Sequence, residues 1–537
     1  MDSPGGSLVL VNGRVLTGDG RPSSATGVQL HGATISAVGT DAEVLAGRAQ
    51  GDEVIDLAGR SIAPGFNDAH CHPLWVGEMA LQVDCGSPPN RSIAAIIERL
   101  RERAASTPPG GWVRGVKYQP TSLAERRHPT RHDLDQATTQ HPVLVRHLSG
   151  HVLAANSRAL DLAGIARATP DPSGGRIDRD QHGEPTGVLR EAAMELVHAV
   201  LPPVPVEEYK QAVRVAGEIF LANGVTSVGE AMVFSVEQLQ AYAELCASGE
   251  LPFRVSMMVG IDDVVVPHLI PLGVKSGHGD AWLRVGPAKF FIDGALGGRT
   301  ARLRQPYRDQ PESLGLWMDD PAAIKQRFIQ AHLAGFQCTG HAIGDAAVEL
   351  ILDAYEEALR LEPRPNHRHR IEHACILDDG LLDRIQRLGA VLVPSPAFIH
   401  TFWETYLDAV GPERCRYVAA MRTFQRRGIV GVASTDAPVE AVNPALGLQS
   451  MVARMAGDGE PFFPEEAVSL DEAVRAYTLN GAHATFEEGS KGTIAPGMSA
   501  DLVVFETDLR SVDPAELSQV RVDLTILDGR IVYERAT

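Results

Sequence analysis

Residues 62–73 read IAPGFNDAHCHP. A short apolar run ends there in His70-Cys71-His72. In a strand, residues i and i+2 point to the same side. Two imidazoles therefore project together, which is what a divalent metal requires. Cys71 faces the other way and reads as a buried thiol.

The same kind of run recurs downstream. From about residue 226 we read TSVGEAM, FRVSMMVG, LRVGPAKFFIDG, FQCTGHAIG, HRIEHA, AVLVPSPAF and IVGVASTDAP. Between several of them lie helical patterns such as DAAVELILDAYEEALRL and DDGLLDRIQRLG. With the first run this makes eight strand candidates. Repeated βα units predict an α/β protein with a parallel sheet, and eight of them suit a closed TIM (β/α)8 barrel. A doubly wound open sheet is the alternative.

Polar candidates sit at the same place in successive units. His341 ends FQCTGH, His373 ends HRIEH, Asp436 ends the last run, and Lys289 lies within GPAKFFIDG. In a parallel barrel all the C-terminal strand ends converge on one face, where active sites form. Taken singly, each has a plainer reading. The histidines suit satisfied structural positions, Lys289 a salt bridge, and Asp436 a helix N-cap. Their recurrence is what joins them into one site.

Both ends of the chain carry β signals. SLVLVNGRVLT places two apolar runs around Asn12-Gly13, a hairpin-type dipeptide. GVQLHGATISAVG turns at His31-Gly32, and VDLTILDGRIVYE at Asp528-Gly529. Residues 1–62 and 489–537 could be two small β domains or one discontinuous domain built from both termini, since chain termini often lie close together. The barrel then takes residues 63–488. Within it, residues from about 75 to 225 separate the first two strand candidates. A structureless loop of that length is improbable, so an inserted α+β subdomain is expected.

The chain has 537 residues, 44% hydrophobic and 22% charged, with a formal charge of −19. These are globular values. The negative balance argues against nucleic acid and against an anionic membrane surface. No apolar run reaches 18 residues, so no spanning helix is expected. The six cysteines are scattered without a CxxC pair. With no signal-peptide pattern, they point to a reducing, cytoplasmic location.

The sequence resembles the amidohydrolase superfamily of metal-dependent hydrolases, and within it the amidohydrolase 3 branch, which includes N-substituted formamide deformylases. APGFNDAHCHP, AKFFIDGALGGRTA, GHAIGDAAVE, HRIEHA and STDAPV follow in the family's order. GHVLAANSRAL and EPTGVLREAA resemble signatures of the branch's inserted domain, and KGTIAPGMSADLVVF resembles its re-entry into the sandwich.

The resemblance implies a distorted (β/α)8 barrel with a sandwich built from both termini. It implies a centre of one or two divalent ions, usually zinc, with manganese or iron as alternatives. His70 and His72 would hold the more buried ion, and His341 and His373 the second. Lys289 would carry a carbamate bridging both. Asp436 would touch metal and act as acid/base, taking a proton from water and passing it to the leaving amine. A homodimer acting on a small-molecule substrate is also implied.

The resemblance further implies hydrolysis of a C–N bond in an amide, formamide or N-acyl compound. Carbamate, urea or ester hydrolysis and ring deamination are alternatives on the same fold. Mononuclear deaminases of the superfamily carry Glu three residues after the fifth-strand His, where this chain has Gly344, and usually lack the Lys. A catalytically silent binding or scaffold protein is the reading from another class; it predicts broken ligand positions, whereas all six are intact.

Weaker candidates complete the set. His147 and His151 come from the insert and suit substrate contact; Glu191, also from the insert, and Glu230 from SVGEAM suit metal ligands or carboxylates behind them, with an exposed or ion-paired position as the plainer reading. Arg299 follows the Lys289 strand and suits a substrate carboxylate or the orienting of a ligand. Asp293 and Asp345 suit loop anchoring. Trp75, Trp112, Phe398, Phe402 and Trp403 suit an apolar substituent. Glu372 precedes His373 and by strand alternation should point away from it.

Overall fold

Seven parallel strands run through the central part of the chain. They are β1 (Phe66–Cys71), β2 (Val225–Val233), β3 (Arg254–Gly260), β4 (Leu283–Phe291), β5 (Cys338–Ala342), β6 (Arg370–His373) and β7 (Val391–Val393). They form one sheet in chain order. The structure is a computed structural model and describes residues 7–261 and 265–536. Residues 1–6, 262–264 and 537, which fall within the expected domains, lie outside the described residues.

The strands are buried almost throughout; every residue of β1, β3 and β6 is buried. Continuous apolar runs, rather than alternation, are what strands covered on both faces need. Three of the helices between them start on side-chain caps. Ser235 caps Val236–Ser248, Asp320 caps Pro321–Leu333 and Asp378 caps Asp379–Leu388. Gly249 and Gly389, both at φ 72°, end the first and third of these in the left-handed region.

The eighth strand candidate is not a full strand. Gly431 makes a parallel bridge to Leu392 of β7. Farther along, Asp436 N donates to His70 O at 2.9 Å, and His72 N donates to Ala437 O at 2.8 Å. The segment thus bonds to β7 on one side and to β1 on the other. Asp436 itself takes φ 59°, which breaks the extended geometry a ladder needs. The result is a nearly closed, TIM-like α/β fold.

The opening stretch serves two sheets. Ser61–Pro64 pairs with Leu502–Phe505 near the C-terminus, and β1 begins only at Phe66. Gly65 sits at the handover. A Cβ there would lie 2.2 Å from Thr226 Oγ1, so only glycine allows this approach. Ser61–Pro64 and Leu502–Phe505 belong to a five-stranded sheet with Arg14–Val15, Val522–Leu527 and Arg530–Glu534. Ser7–Val11, Gly27–His31, Thr34–Gly39 and Glu53–Asp56 form a four-stranded sheet. Leu10, Val28 and Leu30 of one sheet share a core with Ile62, Leu502, Val504 and Ile526 of the other.

Two of the three expected hairpins are present: His31 pairs with Thr34, and Leu527 with Arg530. The hairpin at Asn12-Gly13 is not. Ser7–Val11 and Arg14–Val15 enter different sheets. The turn passes the chain from one sheet to the other, since Arg14–Val15 finds its partner in Ser61–Ile62.

By compactness the chain divides into Met1–Leu74 with Ala216–Thr537, and Trp75–Val215. The second unit has its own six-stranded mixed sheet and its own core around Ile96, Leu100, Val113 and Val145. It stops at Val215, short of the expected residue 225. The helix Val206–Leu221 crosses this limit, and Phe220 near its end packs edge-on against Phe253 beside β3.

Candidate metal centre

His70 and His72 end β1, which is tied to the segment carrying Asp436. The buried Asp68 carboxylate accepts from Thr435 N at 2.9 Å and from the Thr435 hydroxyl. This brings Asp436 beside both histidines. Its Oδ1 lies 3.2 Å from His72 Nε2 and 3.5 Å from His70 Nε2. Its Oδ2 lies 4.0 Å from His373 Nδ1. One ligand atom each from His70, His373 and Asp436 falls within 4.8 Å of the others, and all three residues are buried. From β4, Lys289 brings its Nζ to 3.4 Å from His70 Nε2.

The chemistry of these atoms suits a divalent cation. Burial, with the positive charge of Lys289, holds His70 well below the ordinary imidazole range. The same two causes bring His341 down to about 4, and burial drives His373 down as well. Neutral imidazoles keep a lone pair for a metal. Burial opposes charge on Asp436, but His373, His72 and Lys289 together hold it below the usual carboxylate range. His373 Nδ1 is buried with no hydrogen-bond partner among the described residues. An unmet buried acceptor is costly unless something binds it. Imidazole and carboxylate donors together fit zinc or a similar ion.

His341 adjoins this group, its ring centroid 4.6 Å from that of His373. Its Nε2 donates to Gly294 O at 2.9 Å, which leaves Nδ1 with the lone pair. Asp293 holds the loop above it, accepting from the backbone N–H of Arg302, Ile343 and Gly344. The Phe398 ring lies nearly parallel to His373, with centroids 6.2 Å apart. Phe402 meets Phe398 edge-on at 5.0 Å.

The model of the amidohydrolase family, in its amidohydrolase 3 branch, matches residues 53–533. The chain belongs to the amidohydrolase family. Among its relatives is the Bacillus subtilis protein YtcJ, 34% identical over 90% of this chain and 91% of the relative. An N-substituted formamide deformylase of Arthrobacter pascens is 32% identical over 98% of each chain. In structure, an uncharacterized metal-dependent hydrolase from Pyrococcus furiosus superposes with a TM-score of 0.78 at 29% identity. That likeness covers 95% of this chain and 100% of the other.

In this amidohydrolase-family chain the six residues His70, His72, Lys289, His341, His373 and Asp436 come together at one end of the sheet. Other expected residues have partners of their own. Arg299 is engaged within its own loop: Nε and NH2 donate to Asp309, at distances down to 2.6 Å. Trp75, His151 and Glu191 belong to the unit Trp75–Val215. There His151 Nδ1 lies 2.9 Å from Glu191 Oε2, with both side chains exposed. Trp75 is half-buried in the helix Pro73–Leu81.

Two carboxylates differ from their sequence reading. Glu230 is buried, not exposed or ion-paired in solvent. It accepts from the Tyr242 hydroxyl at 2.5 Å and from Leu74 N at 3.1 Å, two residues beyond His72. Glu372 points into the barrel, not away from it. Its Oε2 lies 2.5 Å from His70 Nδ1. Alternation fails because His373 and Ala374 take φ values of 68° and 44°. That turn swings His373 inward after Glu372 has already pointed there. The signal was present in Arg-Ile-Glu: Arg370 and Glu372 share a strand face, and a buried arginine needs a carboxylate.

Proposed function

We propose that this chain is a metal-dependent hydrolase that cleaves a C–N bond in a small amide, formamide or other N-acyl compound. The observation that carries this reading is the convergence of His70, His373 and Asp436 at the strand ends, with Lys289 3.4 Å from His70. The family supports hydrolysis, and the relative named for formamide deformylation supports the bond.

His70, His72, His341, His373 and Asp436 would hold zinc, or manganese or iron in its place. Lys289 would join them as a carbamate, since an ammonium is no ligand. When bound, a divalent ion supplies Lewis acidity, making water a nucleophile near neutral pH and polarising a carbonyl oxygen. The chain's own residues supply the rest. Asp436 stays anionic and accepts the proton of the attacking water at Oδ1 or Oδ2. It then returns that proton to the departing nitrogen. His72 Nε2 faces this carboxylate from 3.2 Å. Phe398 and Phe402 exclude water beside His373 and offer an apolar wall to the acyl or amine substituent.

The test is a hydrolysis screen of the full chain, supplied with zinc or manganese, across N-formyl, N-acyl, carbamate and ester compounds. Turnover of an N-formyl or N-acyl compound above the others, abolished by a chelator and restored by metal, is the expected result. Protein that retains under one-tenth metal per chain after expression with zinc would sink the proposal.

A further inference from the structure

We propose that Glu372, clamped by Arg370 and Thr339, is a positioning residue that fixes which nitrogen of His70 binds metal. The inference rests on the reading of this cluster as a divalent-metal centre. A carboxylate oxygen 2.5 Å from Nδ1 can only accept, so Nδ1 carries the hydrogen. The lone pair then sits on Nε2, the nitrogen facing Lys289 and Asp436.

The clamp is complete on the carboxylate side. Arg370 Nε donates to Oε1 at 2.8 Å and NH2 to Oε2 at 2.9 Å. The Thr339 hydroxyl also donates to Oε1. The same Arg370 NH2 donates to Ala69 O at 2.8 Å. Ala69 precedes His70, so one guanidinium holds both the carboxylate and the backbone that carries the histidine. β6 and β1 are not neighbours in the sheet, so this contact crosses the barrel interior.

Stability alone is a poor explanation for the arrangement. Arg370 and Glu372 are fully buried, and a buried ion pair is often no more stabilising than apolar side chains of similar volume. A histidine ligand, by contrast, gains in orientation and basicity when its second nitrogen meets a carboxylate.

The experiment compares the full chain with Glu372→Gln and Thr339→Val. Zinc affinity is read by competition with a chromophoric chelator, and ligand geometry by the visible absorption of the cobalt(II) form. Glu372→Gln is expected to bind zinc about 10–100-fold more weakly and to alter the cobalt band. Thr339→Val, which leaves the arginine clamp intact, is expected to show a smaller loss. Unchanged affinity and an unchanged cobalt band in Glu372→Gln overturn the inference, even if its metal-free form melts lower. If that variant does not fold, Thr339→Val decides: affinity equal to wild type overturns the inference. Wild-type protein that takes up no zinc overturns the metal centre itself, a result separate from either variant's.

Discussion

Glu372 and His373 are adjacent in sequence, and both side chains enter the barrel. Glu372 meets His70 across the interior, and His373 faces Asp436 from 4.0 Å. A regular strand would send one of them outward. The positive φ at His373 and Ala374 makes the exception, at a cost of about 1–3 kcal/mol for each such residue. Strain of this kind persists where the surroundings hold it, and here it gives one strand end two inward groups.

Asp436 should separate metal binding from turnover. Asp436→Asn keeps the shape and removes the proton acceptor. Metal content near that of wild type is expected, with kcat lowered about 10²–10⁴-fold. Metal analysis and steady-state kinetics check this together, and near-normal kcat excludes Asp436 as acid/base.

Lys289 should react with carbon dioxide in the metal-free protein. Burial brings its amine down to about 8, far below an ordinary lysine. Only the neutral amine is nucleophilic toward carbon dioxide. Its fraction rises as pH increases through about 8 and falls below it. At fixed dissolved carbon dioxide, the carbamate should therefore increase from pH 7 to pH 9. Carbon-13 NMR with labelled bicarbonate reads the carbamate carbon, and Lys289→Ala should lose that signal. A wild-type spectrum without it refutes carboxylation in the metal-free chain.

Phe398 should affect recognition more than chemistry. Phe398→Leu keeps most of the volume, so its stability cost should stay below about 1.5 kcal/mol. The aromatic face beside His373 is lost. KM for substrates with aromatic substituents should rise about tenfold, with kcat less affected. Equal changes for aromatic and small aliphatic substrates would remove Phe398 from the substrate wall.

Arg254 should be a stability residue. Its guanidinium binds Asp501 bidentately, at 2.7 and 3.0 Å, and reaches Asp528 at 3.3 Å. Arg254 starts β3, and Asp501 precedes Leu502–Phe505 of the five-stranded terminal sheet. Arg254→Met leaves a buried carboxylate without its cation and should destabilise by about 3–5 kcal/mol. The paired change Arg254→Met with Asp501→Leu should recover much of that loss. Denaturant unfolding of both variants measures the difference.

Much of the centre was legible because it is local. HxH at a strand end, a histidine ending each of two later runs, a lysine and an aspartate recur at equivalent points of successive βα units. Strand period and barrel topology then bring such positions to one face. Family motifs reinforced the same six residues. The Asn12-Gly13 turn misled for the opposite reason: a hairpin dipeptide records a reversal of the chain, not which sheet receives the next strand.

By itself the sequence determined the αβ repetition, the order of the strands and the residue types at their ends, since these follow from short-range periodicity and propensity. Tertiary structure alone decided which groups meet. Glu372 reaching His70, Arg370 joining both, Arg299 committed to Asp309 and Thr435 held by Asp68 are contacts between groups whose separation in the chain says nothing of their distance in space. Each depends on a backbone angle or a neighbouring strand that only the packed barrel imposes, because the cost of burying a charge is met by whichever partner the fold brings within reach.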